Sequence, residues 1–462
     1  MSRARSLMAV PILAVLLPAF PVRAASSQER LLEAALSQAD RSYARLAWLT
    51  DRIGHRLSGS ESLEKAVVWG AGEMEKDGLD RVWTEEVMVP HWVRGRESGA
   101  IVAPVQRPLV LTALGGSVGT PEGGITGEVI EFSSFEEMQA AGDRVRGRIV
   151  MFNKEILPDG GREHGYGSAV GLRHSGAREA AKQGAVAMIL RSLGTADFRL
   201  AHTGSMAYDE AGKRIPGAAV SAEDAELIHR LLASGEPVKV RLDLGCETLP
   251  DAPSANVLGD LRGRERPEEI VLIGGHLDSW DVGSGAHDDG AGVVAVMEAM
   301  RLLRSLDLRP RRTIRAVLFT NEENGLRGGK GYAEAHAAEI PLHVAAVESD
   351  SGGDRPLGYG VTAGEGAVER VQAIAAYLAS IDATEVLPRG GGADISPLRK
   401  LGVPALNVRQ DTTHYFDYHH TRADTLDKIT PGNLARNVGA MAVLAWSLAE
   451  DPEPLPRPAP EE

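Results

Sequence analysis

From residue 268 onward the chain alternates short apolar runs with longer stretches of helical period. EEIVLIGG (268–275), TIRAVLFT (313–320), LHVAAVES (342–349) and VPALNVR (403–409) are largely continuous apolar runs of strand length. Between and after them lie GAGVVAVMEAMRLLRSL (290–306), GGKGYAEAHAAE (328–339), GAVERVQAIAAYLASI (366–381) and ITPGNLARNVGAMAVLAWSLAE (429–450), which read as helices. Thr430 stands at the cap of the last helix, with Pro431 in its first turn. Strands that are apolar throughout are buried on both faces. Their alternation with helices builds a mainly parallel, mixed sheet covered by helices on both sides. The expected fold class is therefore α/β, with a three-layer domain over 251–450.

Upstream the texture differs. Residues 28–49 and 61–77 have helical spacing, the second capped by Ser60, and 81–92 alternates like a strand. Residues 25–94 are thus expected to form an N-terminal part of the same domain. Residues 95–250 carry short β-like runs separated by glycine, such as GRIVMF (147–152), AVAMIL (185–190) and VKVRLDL (238–244), with one helix around 175–184. This stretch reads as a separate, mostly β insertion. The Pro-rich, charged tail 451–462 is expected to be disordered.

Composition narrows the function. The 462 residues are 43% hydrophobic and carry a net charge of -14, so phosphate backbones are repelled and nucleic acid is not an expected partner. Arg3 and Arg5 precede an apolar run from Leu7 to about Phe20, and Val22-Arg23-Ala24 fits a small-x-small cleavage site. Residues 1–24 read as a secretory signal peptide, which implies export to the periplasm or the medium. Pro11 and Pro18 break that run, and no later run is long enough to span a bilayer, so no membrane anchor is expected after cleavage. The single cysteine, Cys246, has no partner for an intrachain disulfide and reads as a small buried residue.

The candidate chemistry lies at the strand ends, where open α/β sheets bind ligands. The first strand runs into GGHLDSWDVGSGAHDDGAGVV (274–294), which holds two histidines, four aspartates and eight Gly or Ser residues. That strand ends at His276, the next at Glu322 and Glu323, and the next at Glu348 and Asp350. His419 and His420 follow the strand 403–409, and Asp288 precedes a helix. Singly, each has an ordinary structural explanation. Together they gather carboxylates that repel one another unless a cation lies among them. Carboxylate and imidazole donors suit zinc, with Co or Mn fitting the same set. More donors are present than one tetrahedral ion needs. Two ions roughly 3.5–4 Å apart, bridged by a carboxylate and a water, would use them all, leaving one carboxylate as general base.

GGHLDSWDVGSGAHDDGAG, FTNEENG, VESDSGG and YHHTRADT, in this order, resemble the zinc-dependent aminopeptidase clan, and within it the plasma glutamate carboxypeptidase (carboxypeptidase Q) branch. IGHRLSGS (53–60) and SANVLGDLRG (254–263) fit as well, and 95–250 resembles an inserted protease-associated domain. The resemblance implies that His276 and Asp350 ligate one zinc, Glu323 and His420 the other, and Asp288 bridges them. It assigns Glu322 as general base, in preference to Glu323, and His420 as ligand, in preference to His419. It also implies that Asp278 orients His276. Many relatives place a tyrosine directly before the last ligand. Here His419 holds that position and Tyr418 precedes it, so either could donate to the oxyanion. Asp394, in GGGADIS, stands where relatives place pocket residues and equally suits a helix cap. Arg389, Arg409 and Arg422 are candidate receptors for a substrate carboxylate.

The expected activity is that of a di-zinc exopeptidase acting on short peptides, foremost dipeptides with a free N-terminus. A metallocarboxypeptidase that reads the C-terminal carboxylate is the alternative. A one-zinc cyclase on the same fold would not need the full donor set, and a receptor-like binding protein would have lost it. The resemblance further allows a homodimer.

Overall fold

The computed structural model describes residues 25–158, 161–196 and 198–459. The signal peptide expected at 1–24 lies outside them. Along the chain the strands are β1 (Arg81–Val93), β2 (Glu97–Ala103), β3 (Arg107–Pro108), β4 (Leu111–Ala113), β5 (Ile125–Phe132), β6 (Ile149–Phe152), β7 (Ala187–Arg191), β8 (Gly217–Val220) and β9 (Lys239–Leu244). They continue with β10 (Glu247–Leu261), β11 (Arg266–His276), β12 (Arg312–Phe319), β13 (His343–Glu348), β14 (Pro356–Thr362), β15 (Glu385–Leu387) and β16 (Ala405–Gln410).

Two eight-stranded mixed sheets result. The first runs β1-β10-β12-β11-β13-β16-β14-β15. Its centre, β12-β11-β13-β16, is parallel. Antiparallel pairs flank that centre on both sides, through β10 and β14. Because successive side chains point to opposite faces of a strand, neighbours along each central strand enter different cores. Val271, Ile273, Ile314, Ala316, Leu318, Ala345 and Val347 pack with the helices Ala291–Ser305 and Pro431–Glu450. Leu272, Val317, Phe319 and Ala346 face the other way, against Tyr332, Ile395 and Leu398. This two-sided burial is what the continuous apolar runs encode. It leaves the carboxyl ends of β11, β12 and β13 as the polar edge of the layer.

The second sheet runs β3-β2-β9-β5-β6-β7-β8-β4 and is built wholly from the chain between β1 and β10. It is not mostly β. Its β5-β6-β7-β8 core is parallel. The helix Ala222–Ala233 packs on one face through Ala225 and Ile228. The helices Phe135–Ala141 and Val170–Lys182 cover the other through Met138, Leu172, Ala177 and Ala180. The short, alanine-rich helices give weak periodicity, which is why the sequence shows mainly the strands.

The tail also departs from expectation. Over 451–459 it is docked rather than disordered. Leu455 is buried, Gly364 donates its N–H to the Pro456 carbonyl at 2.7 Å, and Arg457 donates to the carbonyls of Gly402, Ile340 and His343. Cys246 is buried as expected, and burial pushes its thiol up to about 12. Among the described residues no helix is long and apolar enough to cross a membrane.

Candidate metal centre

The site forms where the polar edge of the first sheet meets the inserted unit. His276 is the last residue of β11. Its Nδ1 donates to the Asp278 carbonyl at 3.1 Å, which turns Nε2 toward Asp288 Oδ1 (3.1 Å) and Asp350 Oδ1 (3.4 Å). Asp350 follows β13 by two residues. On the other side, His420 Nε2 lies 3.2 Å from Asp288 Oδ2 and 3.0 Å from Glu323 Oε2. The two oxygens of Asp288 therefore face two different pairs, His276 with Asp350 and His420 with Glu323. His419, stacked on His420 with ring centroids 3.5 Å apart, brings its Nε2 to 3.5 Å from Asp288 Oδ2. Donor atoms of Asp288, His419 and His420 converge within 4.8 Å, as do those of His276, Asp289 and Asp350. Both Asp289 oxygens, however, already accept backbone N–H groups, from His276 and Gly292. Asp289 is thus a brace for the loop, and the peptide joining it to Asp288 is cis.

The loop is held by side chains distant in sequence. Asp424 accepts from the N–H groups of Ala286 (2.9 Å), His287 (2.7 Å) and Asp288 (3.2 Å). Arg56, fully buried, donates to the carbonyls of Gly54, Leu277, Ser284 and Gly285. Burial lowers its pKa to about 10 against the attraction of Asp424 and Asp278, leaving it charged at neutral pH. Asp278 meets His276 through its backbone carbonyl, while its carboxylate stays 3.7 Å from Nδ1. Its carboxylate accepts the N–H of Glu322 at 2.9 Å and of Glu323 at 3.2 Å, which fixes both glutamates at the end of β12. Trp280 packs into the inserted sheet against Gly115, where a Cβ would sit 1.9 Å from the indole.

The inserted unit closes the site. Thr203 donates its N–H to the His420 carbonyl at 2.9 Å, and its own carbonyl lies 3.3 Å from His420 Nδ1. His420 has a φ of 62°, in the left-handed region, so its backbone is braced from the insertion. A cavity of about 530 Å³ opens here. Asp288, Glu322, Glu323, Asp350, His419 and His420 line it from the sheet side, and Tyr166, Arg173 and Ser205 from the insertion.

Some expected contributors are elsewhere. Tyr418 does not line this cavity among the described residues; it stacks on His287 at 5.9 Å. Tyr415, three residues earlier, and Tyr166 from the insertion line it instead. Asp394 neither lines the cavity nor caps a helix: the helix Ser396–Lys400 has Ile395 at its cap and no side-chain cap bond. Asp394 is buried beneath the site near Glu348, and burial with that neighbour raises its carboxyl well above the ordinary value. Gly392 leaves room for Glu348, whose carboxyl carbon would lie 2.1 Å from a Cβ there. Arg409 pairs with Glu385 at 2.8 Å and Arg422 with Glu97 at 3.3 Å; neither, nor Arg389, lines the cavity.

The electrostatics call for cations. Burial raises Glu322 well above the ordinary carboxylate range, and raises Glu323 to about 7. Burial opposes charging of His276, but hydrogen bonds to Asp288 and Asp350 outweigh it and lift its pKa well above 6.5. That upward shift reflects the negative charge of Asp288 and Asp350, which divalent ions would otherwise balance. Buried Asp288 Oδ2 and Glu323 Oε1 have no hydrogen-bond partner, although such atoms are normally satisfied. Oxygen and nitrogen donors in two groups joined by one carboxylate fit a pair of first-row divalent ions.

Comparison with known proteins gives the family. Residues 256–445 match Peptidase family M28. Mouse carboxypeptidase Q is 39% identical over 418 residues, covering 90% of this chain and 87% of the relative. The chain belongs to peptidase family M28. Within that family, the crystal structure of a peptidase M28 precursor from Shewanella amazonensis superposes with a TM-score of 0.89 at 40% identity, over 94% of this chain and 99% of the other. The fold extends to BSAP, a zinc aminopeptidase from Bacillus subtilis, at a TM-score of 0.66 and 21% identity, covering 90% of this chain and 96% of that one.

Sequence reading missed several M28 residues that build the site. Arg56 and Asp424 sit inside IGHRLSGS and YHHTRADT, so the motifs contained them without revealing their partners. Tyr166, Arg173 and Thr203 carry no local signal, because they meet the site only through the packing of the insertion.

Proposed function

We propose that this M28 peptidase is an exported di-zinc exopeptidase that hydrolyses short peptides, foremost dipeptides with a free N-terminus. The observation that carries the reading is Asp288, whose two oxygens face separate imidazole–carboxylate pairs. His276 and Asp350 would hold one ion, and Glu323 and His420 the other. Bound zinc supplies Lewis acidity and lowers the pKa of a coordinated water toward about 7. Glu322 is the general base. Asp278 anchors its backbone at the cavity wall, and its carboxylate takes a proton from the attacking water and passes it to the leaving nitrogen. The unit between β1 and β10 is a protease-associated domain that closes the cavity on one side. Residues 1–24 are the signal peptide that directs export.

Zinc-loaded protein is expected to cleave a free dipeptide and not its N-acetyl form, with activity lost on chelation and restored by zinc. Cleavage of both forms at equal rates would overturn the free N-terminus. One zinc per chain at saturation, measured by elemental analysis, would overturn the two-ion site and favour a one-metal reaction.

A further inference from the structure

Arg173, on the helix Val170–Lys182 of the inserted unit, is an arginine buried in the wall of the catalytic cavity. It is only 6% exposed, yet among the described residues no carboxylate lies within 4.0 Å of it. That is unusual, because buried charges are paired. The same cavity is lined by Asp288, Glu322, Glu323 and Asp350, and none of them reaches it. Nε has no hydrogen-bond partner. Nη1 donates to the Tyr166 hydroxyl at 2.5 Å. It also lies 3.5 Å from His420 Nδ1, but that nitrogen faces the Thr203 carbonyl and, with Nε2 given to a metal, carries the ring proton. The guanidinium lies flat over Gly204, where a Cβ would meet its carbon at 2.4 Å, so the position is built for it. Accepting from Arg173 leaves the Tyr166 hydroxyl its own proton for another acceptor. Lys330, the other long cationic side chain lining the cavity, is engaged with the Gly325 carbonyl at 2.9 Å.

We propose that Arg173 and Tyr166 are the residues that bind the C-terminal carboxylate of the substrate. The missing counter-ion is the substrate itself. A guanidinium and an adjacent phenol match the two oxygens of a carboxylate, and burial strengthens the charge-assisted bonds. Arg173 sits on the far side of His420 from Asp288 and Glu323. The carboxylate is thereby held beyond the metal centre, on the leaving-group side. One further residue would add about 3.3–3.6 Å of extended chain and displace it from this receptor. The inference rests on the exopeptidase reading and adds the residues that measure substrate length.

The test compares one dipeptide with its C-terminal amide, using zinc-loaded full-length mature protein. Wild type is expected to favour the free acid by about 10- to 100-fold in kcat/KM. Arg173→Met is expected to bring that ratio toward one, with Arg173→Lys and Tyr166→Phe intermediate. Because each ratio is taken within one preparation, a folding defect that lowers both rates cancels. Equal rates for acid and amide in wild type, or an unchanged ratio in Arg173→Met, would overturn the carboxylate receptor and leave the exopeptidase reading standing. Failure to cleave either form would sink that reading, and this one with it.

Discussion

Asp424 reaches back across 136 residues of chain to accept a hydrogen bond from the backbone N–H of Asp288 at 3.2 Å. Its other oxygen takes the N–H groups of Ala286 and His287, so one carboxylate sets the path of the loop that aims Asp288 at both sides of the site. Asp424→Asn presents one acceptor where three N–H groups need two. Zinc affinity is expected to fall by about 10- to 100-fold, the usual cost of losing a supporting residue around a metal. Competition against a zinc-binding dye would measure it, and unchanged affinity would show that the loop holds itself.

Arg56 and Gly285 make a second tie of this kind, through Nη2 and the Gly285 carbonyl at 3.0 Å. Arg56→Met keeps most of the volume but strands the carbonyls of Leu277, Ser284 and Gly285 in a buried setting. A loss of about 3–5 kcal/mol in unfolding free energy is expected, since each unmet buried acceptor costs about 1–3 kcal/mol. Denaturant titration of the zinc-free protein isolates this from metal binding. A loss under 1 kcal/mol, about the value of a single ordinary hydrogen bond, would contradict the account.

Under the proposed mechanism Glu322→Gln preserves shape and removes the proton acceptor. kcat is expected to drop by about 10²–10⁴-fold, with two zinc ions retained. Full activity in this variant would move the base elsewhere.

His343 lies in the core between the Tyr332 hydroxyl (2.8 Å) and the Glu339 carbonyl (2.9 Å), and burial lowers its pKa from 6.5 to about 4. A depressed imidazole pKa means the fold favours the neutral ring. Its contribution is complete above 6.5 and is lost as pH falls toward 4. The loss amounts to about 3 kcal/mol, at 1.36 kcal/mol per pKa unit. Between pH 7 and pH 4.5, His343→Gln should therefore lose about 2–3 kcal/mol less stability than wild type. Parallel pH profiles for the two proteins would rule His343 out.

Arg457→Ala tests the docked tail. Arg457 Nη2 donates to Ile340 and His343 carbonyls at 2.7 Å each, and Nη1 to Gly402 at 3.2 Å. Stability is expected to fall by about 1–3 kcal/mol. An unchanged melting temperature would return the tail to the disordered class that its composition suggests.

The sequence alone determined the α/β layer and the candidate donors at its strand ends. Strands such as 270–273 and 316–319 are apolar at every step because both faces are buried, and that pattern is local. It identifies the strand ends, and so His276, Glu322, Glu323 and Asp350, before any contact is known. The choice between neighbours, Glu322 or Glu323, His419 or His420, needed the resemblance, since spacing along a loop does not say which side chain turns inward. Tertiary structure alone decided what surrounds them. Asp424, Arg56, Thr203, Tyr166 and Arg173 act on groups far away in the chain, and hydrogen bonds over such separations leave no periodicity to read. The insertion's helices and the docked tail escaped for a related reason. Their order comes from surfaces supplied by other segments, and composition reports only what a segment can do for itself.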